Sequence, residues 1–366
     1  MQYSKELIIN ALRTVMDPDL GKDLVTLNMI DDVNFQGNKI SFKVVLTTSA
    51  CPLKNRIKQD CIDAIHTLLD PAAVVEVEMT SRTNTNRPVN QQLLKGVKNI
   101  IAVASGKGGV GKSTIAANLA VALGRTGAKV GLIDADIYGP SVPLMFDEVN
   151  TKPGAIEKDG KMLITPIEKY GIKILSIGFF VDPEKALVWR GPMASNALTQ
   201  LFTEADWGEL DYLVLDMPPG TGDIHLTIVQ QLSVTGVAIV TTPQEVALAD
   251  ARKAIGMFSQ ENINVPILGL VENMSWFTPK ELPNNKYFIF GEEGGKKLAA
   301  EFNIPLLGQI PLVQGIRESG DDGRPIAMND NSPVADAFRK LAENTAQQVS
   351  IRNHTMAPTV PVNLTH

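Results

Sequence analysis

Eight residues constrain this chain more than anything else in it. Gly106-Lys107-Gly108-Gly109-Val110-Gly111-Lys112-Ser113 stands between an apolar run, residues 100–104, and a helix predicted to start near Ser113. G-x-x-x-x-G-K-S between a strand and a helix is a phosphate-binding loop. Its glycines let the backbone curl until the amides face an anion, and the helix N-terminus adds positive potential. Lys112 then supplies charge to the β- and γ-phosphates, and the Ser113 hydroxyl meets Mg²⁺. The nucleotide-binding segment predicted on this basis runs from Gly106 through Thr114.

The rest of the chain has the architecture such a loop needs. Apolar runs at 100–104, 130–133, 172–177, 212–215, 237–240 and 267–271 alternate with helical stretches, which predicts an α/β fold with a mostly parallel sheet. Gly106, Gly108 and Gly111 also satisfy G-x-G-x-x-G, with Asp134 following at about the spacing of a dinucleotide fingerprint. Lys112-Ser113 decides against that rival, because a dinucleotide site needs neither a lysine nor a metal-binding hydroxyl there. So does Asp216, which ends the apolar run 212–215 where a P-loop protein keeps its second metal-site acid.

Two further acids, Asp134 and Asp136, close the run 130–133. Ligands of open α/β sheets bind at the carboxyl ends of strands, so both face the predicted phosphate site, although an Asp ahead of a helix also serves as a cap. The stretch after Asp216, Met217-Pro218-Pro219-Gly220-Thr221-Gly222-Asp223, suits a loop that changes shape when the γ-phosphate leaves. Asn273 ends the sixth run; it either presents its amide to a base edge or simply makes a turn.

Ahead of this domain lies a smaller α/β domain, residues 1–80. Leu7, Ile8, Ala11, Leu12 and Val15 share one helical face between Tyr3 and the stop at Asp17-Pro18. Residues 30–35 and 39–46 flank Gln36-Gly37-Asn38 as a hairpin, a second helix follows Pro52, and Val75, Val77 and Met79 alternate with Glu76 and Glu78 as a strand with one wet face. Polar, aperiodic residues 81–98 form the predicted linker, 99–349 the large domain with a last helix at 333–349, and 350–366 a disordered tail. The net charge of −6 speaks against a general nucleic-acid binder. Lys5, Glu6 and Arg13 interrupt any signal-peptide core, and no apolar run reaches membrane-spanning length. Only two cysteines occur, Cys51 and Cys61, which fits a reducing cytoplasm.

Lys107, directly after the first glycine, together with Asp134-x-Asp136 and Asp216-Met217-Pro218-Pro219-Gly220, resembles the deviant Walker A ATPases, the class of MinD, ParA, the nitrogenase iron protein and Mrp. Longer stretches are similar to the Mrp-type iron-sulfur cluster carriers: residues 134–141, Arg190-Gly191-Pro192-Met193, residues 216–223 and Glu272-Asn273-Met274-Ser275. This covers about 99–341. In front, Asp17-Pro18-Asp19-Leu20-Gly21, Leu27-Asn28-Met29 and residues 47–52 resemble the small domain of SufT-type iron-sulfur assembly factors.

The resemblance implies a homodimeric, Mg-dependent ATP hydrolase serving an iron-sulfur apoprotein or assembly client, with no membrane or nucleic-acid partner. By it, Lys107 reaches the nucleotide across the dimer interface, Lys112 and Ser113 hold phosphate and Mg²⁺, and Asp136 positions the attacking water. Asp134 and Asp216 hold Mg²⁺ through water, and Asn273 reads adenine. One departure matters. Mrp-type carriers place a Cys-x-x-Cys pair shortly after Glu-Asn-Met-Ser, whereas residues 276–283 contain no cysteine here. Cys51, at a predicted helix start, is then the candidate ligand, and any iron-sulfur cluster it helps hold is expected to be labile. The rival functions are a ParA- or MinD-like positioning switch, for which no amphipathic tail helix is evident, and a cluster-free scaffold or regulator.

Overall fold

The computed structural model describes residues 3–88, 93–180, 191–358 and 360–362. The chain divides into two compact units, Met1–Asn84 and Thr85–His366.

In the first unit the elements are α1 (Lys5–Leu12), the short pair β1 (Met16–Asp17) and β2 (Lys22–Asp23), β3 (Ile30–Gln36), β4 (Lys39–Leu46), α2 (Lys54–Leu68) and β5 (Val74–Ser81). Ser4 starts α1 by accepting the Leu7 amide on its hydroxyl. Ile8, Ala11 and Leu12 are buried, but the helix is shorter than its apolar pattern suggested and Leu7 is half exposed, since only the i, i+3, i+4 set faces the sheet. β3 and β4 form the expected antiparallel hairpin, and β5 adds to β4 in parallel. Ile40, Phe42, Val44 and Leu46 point from β4 into a core completed by Ile57, Cys61 and Ile65 of α2.

The second unit carries an eight-stranded sheet. Its chain order is β6 (Val97–Ala104), α3 (Lys112–Arg125), β7 (Val130–Asp134), α4 (Val142–Met145), the ribbon β8 (Gly154–Lys158) and β9 (Lys161–Thr165), β10 (Ile167–Lys169) and β11 (Ile172–Ser176). Then come α5 (Gly191–Thr203), β12 (Leu210–Asp216), α6 (Asp223–Gln231), β13 (Gly236–Thr241), α7 (Glu245–Phe258), β14 (Ile267–Phe277), α8 (Gly294–Glu301), β15 (Leu306–Leu312), α9 (Gln314–Asp321) and α10 (Pro333–Thr355). The strand order is β10-β11-β7-β12-β6-β13-β14-β15, parallel throughout except where β10 pairs antiparallel with β11. The six apolar runs of the sequence become six adjacent strands, with β15 added at one edge.

Two expectations need correction. The last helix does not stop at Val349 before a disordered tail. It continues to Thr355, because Val349, Ser350 and Arg352 are buried and Asn353 donates its amide to Asn99 at the head of β6. Beyond it, the Val362 amide reaches the Val229 carbonyl of α6. The predicted linker 81–98 is not a separate segment either: β5 runs through Ser81, and within the second unit Thr85 and Arg87 bond the carbonyls of Lys98, Leu94 and Val97. Arg190 of the Arg-Gly-Pro-Met motif lies outside the described residues. Among those described, no helix is long and apolar enough to cross a membrane.

α10 closes the large core against α3 and β15. Phe338, fully buried on it, is a direct measure of that packing. Phe338→Ala is expected to lower stability by about 3–5 kcal/mol, read from the urea-unfolding midpoint of the main transition.

Candidate functional site

The site lies at the carboxyl ends of β6, β7 and β12. Strand register brings Asp216 beside Val103 on one side and Asp134 on the other, so the acids that end two separate runs become neighbours across one ladder. The loop from Gly106 leads into α3, whose capping residue Gly111 has a φ of 80° and offers no side-chain cap. The first amides of α3 are therefore free to face an anion.

Two close approaches fix this loop. A Cβ on Gly106 would overlap the Asp250 carbonyl of α7, and one on Gly111 would overlap the Asn273 amide. Glycine is needed at both positions for space, and at Gly111 for its dihedral as well. Asn273 Nδ2 donates to the Val110 carbonyl at 2.8 Å. Its amide nitrogen thus clamps the loop, and the base-reading role expected from sequence would fall to its side-chain oxygen.

Lys112 sits in the centre, 6% exposed, with Nζ 2.5 Å from Asp216 Oδ1 and 3.8 Å from Asp136 Oδ2. A buried ammonium requires such partners, since removing it from water unpaired is costly. Burial pushes the Asp216 carboxyl up from its usual range while Lys112 opposes the shift. The second oxygen of Asp216 and Oδ1 of Asp136 are buried without hydrogen-bond partners. Ser113 is close by, its hydroxyl 3.4 Å from Lys112 Nζ. Two orphaned carboxylate oxygens and a hydroxyl are hard oxygen donors of the kind a largely hydrated Mg²⁺ takes, so these residues fit that ion.

Asp134, expected from sequence to act on a metal through water, is engaged on both oxygens within the protein. Its Oδ1 accepts the Asp136 amide, and its Oδ2 accepts both the Val142 amide and the Ser176 hydroxyl. It orders the 135–142 turn and thereby aims Asp136. Burial, and next the Asp216 charge, raise its carboxyl to about 7. Ser176, which sequence reasoning missed, was readable only once β11 was known to run beside β7, where it pairs with Asp134 in register.

The loop after Asp216 is tied back at Met217, whose amide reaches Val103, and at Gly220, whose amide reaches Ser105. Lys107 points outward, exposed, with no ion-pair partner among the described residues. On β14 the neighbour of Asn273, Glu272, is fully buried and accepts the Gly295 amide at 2.5 Å and the Gln309 side chain at 2.8 Å. The thiol-free segment that leaves β14 returns through paired Phe277 and Tyr287 backbones, with Lys286 Nζ 3.9 Å above the Trp276 ring. Cys51 is partly exposed, whereas Cys61 is buried and its thiol is pushed up to about 12. Among the described residues no three metal-binding side chains gather into a metal site.

If the Asn273 clamp is what matters, Asn273→Ala should weaken ADP and GDP equally, by about 5-fold to 150-fold for the roughly 1–3 kcal/mol of an unmade buried hydrogen bond. Isothermal titration with both nucleotides checks it; a loss confined to ADP would favour the base-reading role.

Comparison with known proteins identifies the family of both units. Residues 96–346 match the family described as NUBPL iron-transfer P-loop NTPase, and residues 5–79 match the iron-sulfur cluster assembly protein family. The iron-sulfur cluster carrier protein of Synechocystis is 47% identical over 348 residues, spanning 94% of this chain and 98% of that protein. Its counterpart in Escherichia coli K12 is 42% identical over 346 residues, spanning 94% and 92%. A nucleotide-binding protein from Archaeoglobus fulgidus, solved with ADP, superposes with a TM-score of 0.56 at 36% identity, over 66% of this chain and 91% of its own. With a strand-flanked phosphate loop at its centre and this coverage around it, the chain belongs to the NUBPL iron-transfer P-loop NTPase family.

Proposed function

We propose that the protein is a Mg-dependent ATP hydrolase that works as a homodimer and uses its nucleotide state to carry or assemble iron-sulfur clusters for apoprotein clients. The observation that carries the reading is Lys112, buried and charge-balanced by Asp216, beside two carboxylate oxygens without partners. A nucleoside triphosphate with its cation supplies what this pocket leaves unmet. The relatives' names supply the cargo.

The work of the chain's own residues follows from their placement. The free amides of α3 and the Lys112 ammonium hold the β- and γ-phosphates. Asp216 keeps Lys112 oriented, and Ser113 with Asp136 and Asp216 is the set that would hold Mg²⁺. When bound, the ion neutralises phosphate charge that develops as the terminal bond breaks. Asp136, aimed by Asp134, orients the attacking water through whichever oxygen the cation leaves free. Lys107 faces outward and is available to a second subunit's nucleotide.

The cargo is held differently from the resemblance's Cys-x-x-Cys arrangement. Thiolates are the dominant ligands of iron-sulfur clusters, and the stretch 276–283 has none. Cys51 is the accessible thiol. One such thiol from each subunit leaves a cluster's four positions incomplete, so the rest must come from a small thiol or the client. The same observation favours a second reading, a cluster-free scaffold that acts on a client through its nucleotide state.

Two experiments bear on these readings. Lys112→Ala should abolish ATP hydrolysis, and Lys107→Ala should weaken both hydrolysis and dimerisation with a non-hydrolysable analogue, followed by phosphate release and sedimentation. Normal turnover by Lys107→Ala at every protein concentration would remove the cross-subunit role. For the cargo, anaerobic reconstitution of wild type and Cys51→Ser with iron counting should give a labile cluster that the substitution removes. No iron in either protein would favour the scaffold, and a stable cluster without Cys51 would place the ligands elsewhere.

A further inference from the structure

The helix after the 217–222 loop buries a side chain that the reading above leaves without a task. His225, in the first turn of α6, is 1% exposed, and neither ring nitrogen has a hydrogen-bond partner. A neutral imidazole carries one N–H donor and one acceptor, and burying both unmet is costly. An apolar residue would avoid that cost, as Ile228 and Val229 do on the same helix.

The ring is nevertheless close to acceptors. Burial lowers its pKa, while the backbone carbonyls of Pro218 and Gly222 act on it in the raising direction as acceptors that are near but short of a geometrically formed bond; Lys112 and Asp136 are within electrostatic reach. Phe258 of α7 meets it edge-on, with centroids 6.5 Å apart. Pro218 has no N–H, so its carbonyl is its one polar backbone group. It stands in the short span between the two tie points of the loop, the amides of Met217 and Gly220. Movement of this span changes how its carbonyl meets the ring. Buried polar groups left unmet in one state are expected where another state satisfies them.

We propose that His225 is the positioning residue of the 217–222 loop: when the loop shifts under a bound γ-phosphate, a His225 ring N–H closes onto the Pro218 carbonyl and transmits the nucleotide state to α6. The inference rests on the ATP-hydrolysis reading above and adds the element that reports it. The ring touches neither phosphate nor water; it acts through the loop that begins at Asp216. Differential bonding in the two states is what allows a nucleotide to bias such an element.

The test compares the full chain, labelled with ¹⁵N-histidine, bound to MgADP and to Mg²⁺ with a non-hydrolysable ATP analogue. The His225 ring signal, assigned by its loss in His225→Leu or His225→Gln, should show a hydrogen-bonded, slowly exchanging N–H only with the analogue. Identical ring signals in the two states would overturn the proposal. His225→Leu should bind ADP within about twofold of wild type, melt at the same or a higher temperature, and hydrolyse ATP at least about tenfold more slowly. His225→Gln, which keeps a donor, should recover much of that rate. A His225→Leu protein that melts lower and turns over normally would make the ring mere packing and sink the idea. If wild type itself hydrolyses nothing, the ATPase reading fails, yet the ring comparison still decides whether His225 follows the loop, since it needs only bound nucleotide.

Discussion

The contact between Lys112 and Asp216 is the constraint around which the large unit is arranged. An ammonium and a carboxylate this deeply buried are tolerable only as a pair, and taking either away from a buried pair generally costs about 3–5 kcal/mol. The pairing demands that the first helical residue after β6 and the last residue of β12 meet in space. A parallel sheet with β12 next to β6 provides that meeting, and the crossover helices bury both faces of the strands. The second oxygen of Asp216 is buried without a well-formed hydrogen bond, with Ser113 beside it, so the fold leaves an acceptor open next to the phosphate loop.

The surrounding residues divide into those that make the pocket and those that hold its makers. Asp134 illustrates the second group: two of its three accepted hydrogen bonds come from the turn that carries Asp136 and the third from Ser176 on β11, so its oxygens are spent on geometry. Asn273 and Glu272 belong there too. They are successive residues of one strand, and they bond in different directions. Asn273 reaches the loop at Val110, while Glu272 reaches the start of α8 at Gly295. Alternation of side chains along a strand is the reason one strand can serve both.

Much of this was legible in the sequence because the signals were strong and local. A phosphate loop needs its glycines and lysine in one order, and buried parallel strands read as unbroken apolar runs. The ribbon of β8 and β9 gave no such signal: all but two of its residues are exposed, so no face carries an apolar alternation. β15 was hidden by Gly308 and Pro311, residues that punctuate structure elsewhere but are accommodated at a sheet edge. The end of α10 was missed because its last turn is held by polar contacts of Arg352 and Asn353 rather than by an apolar stripe. At the site, the identity of the acids was readable but the division of labour between Asp134 and Asp136 was not. That division depends on which amides each oxygen meets, a property of the turn and of Ser176 on a strand forty residues away in the chain.

The absence of thiols beyond β14 acquires a physical meaning in this setting. Glu272 pins the start of α8 while the Phe277 and Tyr287 backbones pair, so the intervening segment is fastened at both ends to the strand that also clamps the phosphate loop. Displacement of Val110 by a nucleotide would be felt at Asn273 and, one residue on, at Glu272. The segment is therefore fastened to the strand that clamps the phosphate loop, even though it has no sulfur to offer a cluster. What it presents is apolar surface, with Leu282, Tyr287, Phe288 and Ile289 all exposed. With no thiol in this segment, the proposed division of labour follows: the segment offers apolar surface, and any thiolate must come from the small domain or from a client.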